Sequence, residues 1–370
     1  MNVCMLAYTF FENDGRVMRY AKAIVQDGGQ VQVFALKKPG QVGYEKIEGV
    51  EVFRIQTRYP NEKAKSYFYL YRLMKFFVLS LIRSTWRHLF SARYDVLHVH
   101  SVPDFEVFAA AFCKLTGAKI ILDIHDIVPE FYIEKFGGSH NSLLFRALCL
   151  MEKTSISFAD HVIIANDIWK ERLIGRSCSE EKLTSFVNYP DEEYFYVRKG
   201  IVKHEKISLV YPGTLNFHQG IDIAIKAVSL LREEYPELNL LFYGTGPGPY
   251  RKELEKLIDE LDLSSQVIFH EPLPIKDLAE TISRCHVGIV PKRGDGFGNE
   301  AFSTKIPEMM ALGLPVVIPA TDIDKYYFNE DIAEFFIPGD EKSLAVAIKT
   351  LINDQKKSSN ISDKALLFVQ

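Results

Sequence analysis

Short apolar runs, each about one strand long, alternate with amphipathic stretches from one end of this chain to the other, and that rhythm limits its fold more than any other feature. "NVCMLAY", "QVQVFAL", "VEVFRI", "DVLHVH", "KIILDIH" and "HVIIAN" are short, largely apolar and rich in β-branched residues, as strands buried on both faces of a parallel sheet must be. Between them, residues 16–26, 104–115 and 143–158 carry helical spacing. Buried strands joined by amphipathic helices are the pattern of a doubly wound α/β layer. A polar, aromatic stretch over residues 188–206 interrupts the rhythm, which restarts with "ISLVYPG", "LNLLFYG", "QVIFHEP", "HVGIVP" and "LPVVIP". The chain has 370 residues, room for two domains of ordinary size. It reads as an α/β protein of two Rossmann-like domains, residues 1–190 and 207–352, with a linker over 191–206 and a tail over 353–370. Ligand is expected in a cleft that the two domains face, at the carboxyl ends of the strands.

Charge and cysteine usage remove several function classes. A formal net charge of −4 gives nucleic acid no electrostatic footing. The five cysteines are scattered singly, with no CxxC pair, which argues against a disulfide framework and a zinc site and suits a reducing compartment. The opening "MNVCMLAYTFFENDGRV" has too short an apolar run, and too early an acid, for a signal peptide. A cytoplasmic location is expected.

One segment breaks the pattern. Ser66–Phe90 is 25 residues, almost all apolar or basic, with no acid. On a helix, Arg72, Lys75, Arg83 and Arg87 fall within a stripe of ~120°. Basic residues spread through the run oppose a membrane span. Residues 58–93 hold eight Lys or Arg and one acid, Glu62, within an acidic chain. A helix lying on an anionic membrane surface is the reading that uses this asymmetry; a core helix with a solvated basic face is the alternative.

The stretch "GDGFGNEAFSTKIPEMMALGLPVV" concentrates the chemistry. "STKIPEMMALG" reads as a helix start, with Ser303 as cap and Pro307 inside the first turn, where no amide hydrogen is needed. Free amides at that start, beside Thr304 and Lys305, favour phosphate. Glu308, one turn in, is placed to accept hydrogen bonds from hydroxyls of the same ligand. Its acidic partner is either Asp295, 13 residues earlier, or Glu300, eight residues earlier.

Glu-x7-Glu followed by "MMALGLPVV" resembles the signature of the family 4 retaining glycosyltransferases of the GT-B fold. The family's spacing selects Glu300, not Asp295, although "DGFG" is the more tempting local match. The resemblance implies that Glu300 lies by the donor sugar and Glu308 binds the nucleotide ribose. "FFENDGRVMRYAKAIVQDGGQVQVFAL" is similar to the family's first strand–loop–helix–strand, whose loop faces donor phosphates and acceptor, which implies substrate roles for Asp14, Gly15 and Arg16. "KIILDIHDIVPEFY" resembles a strand end that places His125 beside the sugar, with His98 and His100 left as structural residues. "LVYPGTLNFHQGIDIAIKA" resembles the unit that opens the nucleotide domain, bringing Gly213 and Thr214 to the phosphates. "LLFYGTGPGPYRKELEKL" resembles the following unit, with Gly244 and Gly246; Pro249 stands where a dinucleotide GxGxxG motif needs its third glycine. The family often has Arg at the position of Thr214 and Lys at that of Gln219, so charge for the leaving diphosphate falls here to Lys305, Arg293 and the helix amides. Lys292 reads as solvated. The sequence stops at "SDKALLFVQ", where the family usually continues into a helix crossing back to the first domain, so that element is expected to be shortened or absent here.

The implied activity is a retaining, metal-independent transfer from a nucleotide-diphosphate sugar, UDP-sugar being the commonest donor, to a saccharide acceptor. With Ser66–Phe90 on a membrane, that acceptor is a lipid-linked saccharide. No cofactor and no metal are expected, because no DxD run is placed to hold a cation on the diphosphate and positive side chains can serve instead. Two other readings share the architecture: a nucleotide-sugar 2-epimerase, which needs no acceptor, and a non-catalytic sugar-nucleotide-binding partner. An NAD-dependent oxidoreductase fits less well.

Overall fold

The apolar runs pair in parallel, as their composition requires. The computed structural model describes residues 1–59, 66–136, 138–246 and 248–370; Glu62, counted above with the basic segment, and Pro247 lie outside the described residues. The chain divides into two units, Met1–Asn188 and Tyr189–Gln370.

The first unit holds β1 (Asn2–Ala7), α1 (Gly15–Gln26), β2 (Gln30–Lys37), β3 (Tyr44–Ile47), β4 (Val50–Thr57), α2 (Ser66–Phe90), β5 (Val96–His100), α3 (Ala111–Leu115), β6 (Lys119–Ile124), α4 (Val128–Phe136), α5 (Leu143–Phe158), β7 (His161–Ile164), α6 (Asp167–Arg176) and β8 (Leu183–Ser185). Its sheet order is β3-β4-β2-β1-β5-β6-β7-β8, parallel except where β3 runs against β4. The helix expected over 104–115 is split. Asp104–Ala110 winds as a 3-10 helix before α3 begins. Ser101 donates its hydroxyl to Asp104, and the Glu106 amide bonds Pro103 O at 3.1 Å, an i+3 contact that tightens the first turn.

Helix α2 forms as expected, but its cations do not share one solvated stripe. Arg72 lies over the rings of Tyr59 and Phe68, at 5.8 and 5.1 Å. Arg87 stacks on Phe53 at 4.3 Å and donates to Gln32. Arginine stems pack readily on aromatic faces, which draws these two inward. Lys75 and Arg83 remain exposed. No described helix is long and apolar enough to cross a membrane.

The second unit holds β9 (Ser208–Pro212), α7 (Ile221–Leu231), β10 (Asn239–Tyr243), α8 (Gly248–Glu260), β11 (Val267–His270), α9 (Ile275–Ser283), β12 (Val287–Ile289), α10 (Gly296–Glu300), α11 (Lys305–Ala311), β13 (Val316–Pro319), α12 (Asp322–Tyr327), β14 (Glu334–Phe336), α13 (Glu341–Asn353) and α14 (Gln355–Val369). Its all-parallel sheet runs β11-β10-β9-β12-β13-β14. Strand order reverses between β9 and β12, and at such a switch point the diverging loops leave a crevice for ligand. The segment expected as a tail is α14, seated by buried Ile361 and Ala365 and by the Ser362 hydroxyl donating to Gly313 O at 2.7 Å.

Glu106 carries a measurable cost of this packing. It is fully buried beside Ser80 of α2, and neither carboxylate oxygen has a hydrogen-bond partner. Burial pushes its pKa up from 4.5 to about 8, against a weaker pull from Ser80. Between those values the folded chain holds a proton that the unfolded chain has released, so stability falls as pH rises through this window. Glu106→Gln should remove that fall. By urea unfolding, its gain over wild type should be roughly 3 kcal/mol larger at pH 8 than at pH 5.

Candidate functional site

In the second unit the loops after β9 and β10 touch backbone to backbone. Gly213 has φ of 144°, a region L side chains rarely adopt. A Cβ on Gly213 would run into the Lys305 side chain, and one on Gly244 into Gly213 O. The close approach is tied by Gly213 N donating to Tyr243 O at 2.8 Å and Leu215 N to Thr245 O at 2.9 Å. It opens a pocket of ≈ 430 Å³ at the carboxyl ends of the strands. One wall is polar: Gly213, Thr214, Gly244, Thr304, Lys305 and Glu308. The other is apolar, with Pro272, Leu273 and Ile275. Burial pulls the pKa of Lys305 below the usual lysine range, Glu308 opposes that shift and Lys292 adds to it. The ammonium lies 5.5 Å from the centre of the Tyr211 ring.

Several site expectations need correction. Ser303 does not cap α11; the N-cap is Thr304 in helical conformation, with no side-chain cap bond, and the Ser303 hydroxyl is buried without a hydrogen-bond partner. Arg293 is not available to a phosphate at this pocket. Its guanidinium is bidentate on Asp222, at 3.0 and 2.8 Å, donates to Phe217 O and stacks on the Phe217 ring at 3.8 Å. Lys292 is not solvated: it is 4% exposed, paired with the fully buried Asp324 at 3.0 Å, and it donates to Ala301 O at 3.0 Å. The carbonyl it holds is next to Glu300, so this buried pair fastens the loop between α10 and α11. Glu300 itself closes α10 and is half-buried. Asp295 faces His218 at 3.7 Å and is well exposed. Neither Glu300 nor Gly246 lines the pocket; a Cβ on Gly246 would strike Leu215 O. Gln219, at the family's lysine position, accepts from Tyr211 Oη at 2.8 Å and so supports the turn after β9.

In the first unit the polar residues converge on Asp123. His100 on β5 and Asp123 on β6 are register partners, and the period of two puts His98 and His125 on the same side. Asp123 Oδ2 is 3.7 Å from His98 Nε2, 3.3 Å from His100 Nδ1 and 3.3 Å from His125 Nε2. Arg16 reaches both carboxylate oxygens, Nε at 3.0 Å and Nη2 at 2.7 Å, and donates to Phe186 O at 2.9 Å. Burial alone would raise the Asp123 pKa, but the surrounding histidines outweigh it and hold the carboxyl well below its ordinary value. Burial and the neighbouring His98 push His100 down to about 3 against the pull of Asp123. Arg16, expected to meet substrate, is buried and spent on this network. Asp14 caps α1 by accepting from Val17 N at 3.2 Å, and Gly15 opens the helix, exposed. His125 keeps the most exposed ring of the three, with its Nε2 also 3.2 Å from His100 Nδ1. Among the described residues, ligand atoms of His98, His100 and Asp123 lie within 4.8 Å of one another. The guanidinium already on both Asp123 oxygens opposes a cation there.

Sequence reading missed Asp123, Asp324 and Asp222. The first had a signal, since "HVH" and "DIH" on successive strands place their polar residues on one side. The other two pair with residues 32 and 71 positions away, which no local pattern reveals.

Two doubly wound units, one with a pocket of this composition at its switch point, are the architecture of the GT-B fold. Residues 15–188 match the family described as "Glycosyl transferase 4-like domain" and residues 195–367 match "Glycosyl transferases group 1". The chain belongs to the family 4 type of these enzymes. It is 21% identical to a component of the human phosphatidylinositol N-acetylglucosaminyltransferase over 85% of this chain, and spans 61% of that relative's length. Among solved structures, sucrose-phosphate synthase from Thermosynechococcus elongatus superposes with a TM-score of 0.80 at 18% identity, over 100% of this chain and 94% of that one. Anabaena HepE in complex with UDP-glucose gives 0.72 at 18%, over 100% and 94%.

Asp324→Ala should strand the Lys292 ammonium in the interior and cost about 3–5 kcal/mol by urea unfolding. The double variant Lys292→Met with Asp324→Leu should recover much of that loss, because no buried charge is left without a partner.

Proposed function

We propose that the chain is a retaining, metal-independent hexosyltransferase that moves a sugar from a nucleotide-diphosphate donor, UDP-sugar favoured, to a lipid-linked saccharide in surface polysaccharide or glycoconjugate synthesis. The observation that carries the donor half is the pocket where Lys305 and Glu308 meet the Gly213 and Gly244 backbone beside an apolar wall. Lys305 supplies positive charge to the leaving diphosphate, Glu308 accepts from the ribose hydroxyls, and Pro272, Leu273 and Ile275 take the base. A lysine partly removed from water interacts strongly with a phosphate anion, which supports working without a metal. UDP-glucose bound to HepE supports the choice of donor.

Retention follows from substitution on one face of the sugar. The bond from the anomeric carbon to the phosphate oxygen breaks, the acceptor oxygen bonds the same face, and the departing phosphate takes the acceptor's proton. Glu300 positions the sugar and offsets positive charge at the anomeric carbon, and His125 is assigned to the same sugar. Asp123 and Arg16 position His125. Acceptor and location rest on α2, which favours a peripheral place on the inner, cytoplasmic face of an anionic membrane; the human relative's name, with phosphatidylinositol in it, supports a lipid acceptor.

Glu308→Ala should weaken UDP binding by roughly 1.5–3 kcal/mol in calorimetry while the fold survives; unchanged affinity would remove Glu308 from the ribose. Glu300→Gln should lower turnover of UDP-glucose with little change in UDP affinity, and Asp295→Asn should do much less. The reverse order would mean that the acidic partner is Asp295.

A further inference from the structure

We propose that α2, α3 and α5 together form one docking platform for an anionic lipid bilayer. This rests on the reading of α2 as a membrane-surface helix and extends it to two helices whose sequences gave no such sign.

The sheet topology puts the three on one side. In the order β4-β2-β1-β5-β6-β7 the connections β4 to β5, β5 to β6 and β6 to β7 all advance in one direction, whereas β1 to β2 runs the other way. Right-handed crossovers therefore place α2, α3 and α5 on one face and α1 on the opposite face. The three are fastened into a continuous layer. Phe77 of α2 meets Phe105 at 6.0 Å, and Phe108 meets Phe158 of α5 at 5.2 Å. Thr116, just after α3, bonds His88 of α2 at 2.7 Å, and Lys114 of α3 donates to Phe158 O at 2.6 Å.

The outward surface of this layer is apolar. Tyr71, Met74, Val78, Ile82, Trp86 and Leu89 recur at spacings of three and four along α2, all exposed. Phe112 and Leu115 continue the surface on α3, and Leu143, Leu144, Leu150 and Met151 on α5. Leu115 and Leu143 are 83% and 82% exposed. So large an apolar surface marks an interaction site.

Charge selects the occupant. These three helices and the 3-10 helix between them contain three acids, Asp104, Glu106 and Glu152, exposed by 5%, 0% and 1%. Glu152 is turned inward onto Arg176, whose Nε donates to it at 3.0 Å. The exposed charges include Lys75, Arg83, Arg146 and Lys153, all basic, in a chain whose net charge is −4. The carboxylates within these helices are withdrawn; Asp160, just beyond α5, is exposed but paired with Lys114 of α3 at 3.1 Å, and these four cations are left out. Anionic headgroups above an apolar layer complement that arrangement. A second copy docked face to face would set cation against cation.

Flotation of the full chain with phosphatidylcholine vesicles, with and without phosphatidylglycerol, tests the platform. Wild type should bind the anionic vesicles alone, and less at high salt. Ile82→Ser with Trp86→Ser should weaken binding, and so should Leu143→Ser with Leu150→Ser, each with an unchanged circular dichroism spectrum. Arg146→Gln with Lys153→Gln, two exposed substitutions that spare the core, should lower partitioning about fivefold per charge removed. If the α2 variant abolishes binding and both α5 variants bind like wild type, the platform is overturned and α2 acts alone. If wild type ignores anionic vesicles but sediments as a dimer that the α5 variants dissolve, the bilayer is the wrong occupant and both membrane readings fall. Transfer from UDP-glucose, measured separately, decides the glycosyltransferase reading whatever the vesicles show.

Discussion

A parallel sheet leaves neither face for water, and most of this structure follows from that constraint. Strands buried on both sides must be covered by crossover helices, and right-handed crossovers decide which face each helix takes. Reversal of strand order between β9 and β12 then opens the crevice where the pocket forms. In the first unit the same rule gathers α2, α3 and α5 on one side, which is why three helices far apart in sequence can present one surface.

Within that frame each unit fixes its candidate site residues by burying a charge with its partner. Lys292 and Asp324 lie beneath the loop between α10 and α11, and the lysine holds the carbonyl of Ala301. Arg16 and Asp123 do the corresponding task under His125. Buried pairs of this kind add little stability over well-packed apolar residues, but losing one partner is costly. Such a pair therefore fixes a geometry more than it strengthens a core. Arg293, bound to Asp222, is a third case, and it leaves Lys305 as the cation of the pocket wall.

The same economy of charge separates the pocket from the outer surface. Lys305 is drawn partly out of water, where its charge acts strongly on a nearby anion. Lys75, Arg83, Arg146 and Lys153 stay in water, where each acts weakly and only their sum matters.

The doubly wound fold, an interruption of its rhythm over residues 188–206, the Glu300 and Glu308 spacing and the acid-free helix at Ser66–Phe90 were all legible in the sequence. Each is set by local periodicity or by a short motif, and parallel strands advertise their burial in composition. The sequence alone also brought Gly213, Thr214, Gly244, Thr304, Lys305 and Glu308 into one list, through the likeness of its motifs. It could not say that Arg16, Arg293 and Lys292 are occupied, since their partners Asp123, Asp222 and Asp324 are distant along the chain. Nor could it turn Arg72 and Arg87 inward or withdraw Glu152 from the surface. Local pattern determined the elements and the order of the motifs. Tertiary structure decided which charges are free to meet a ligand, because a charge's role depends on what stands beside it and how much water remains there.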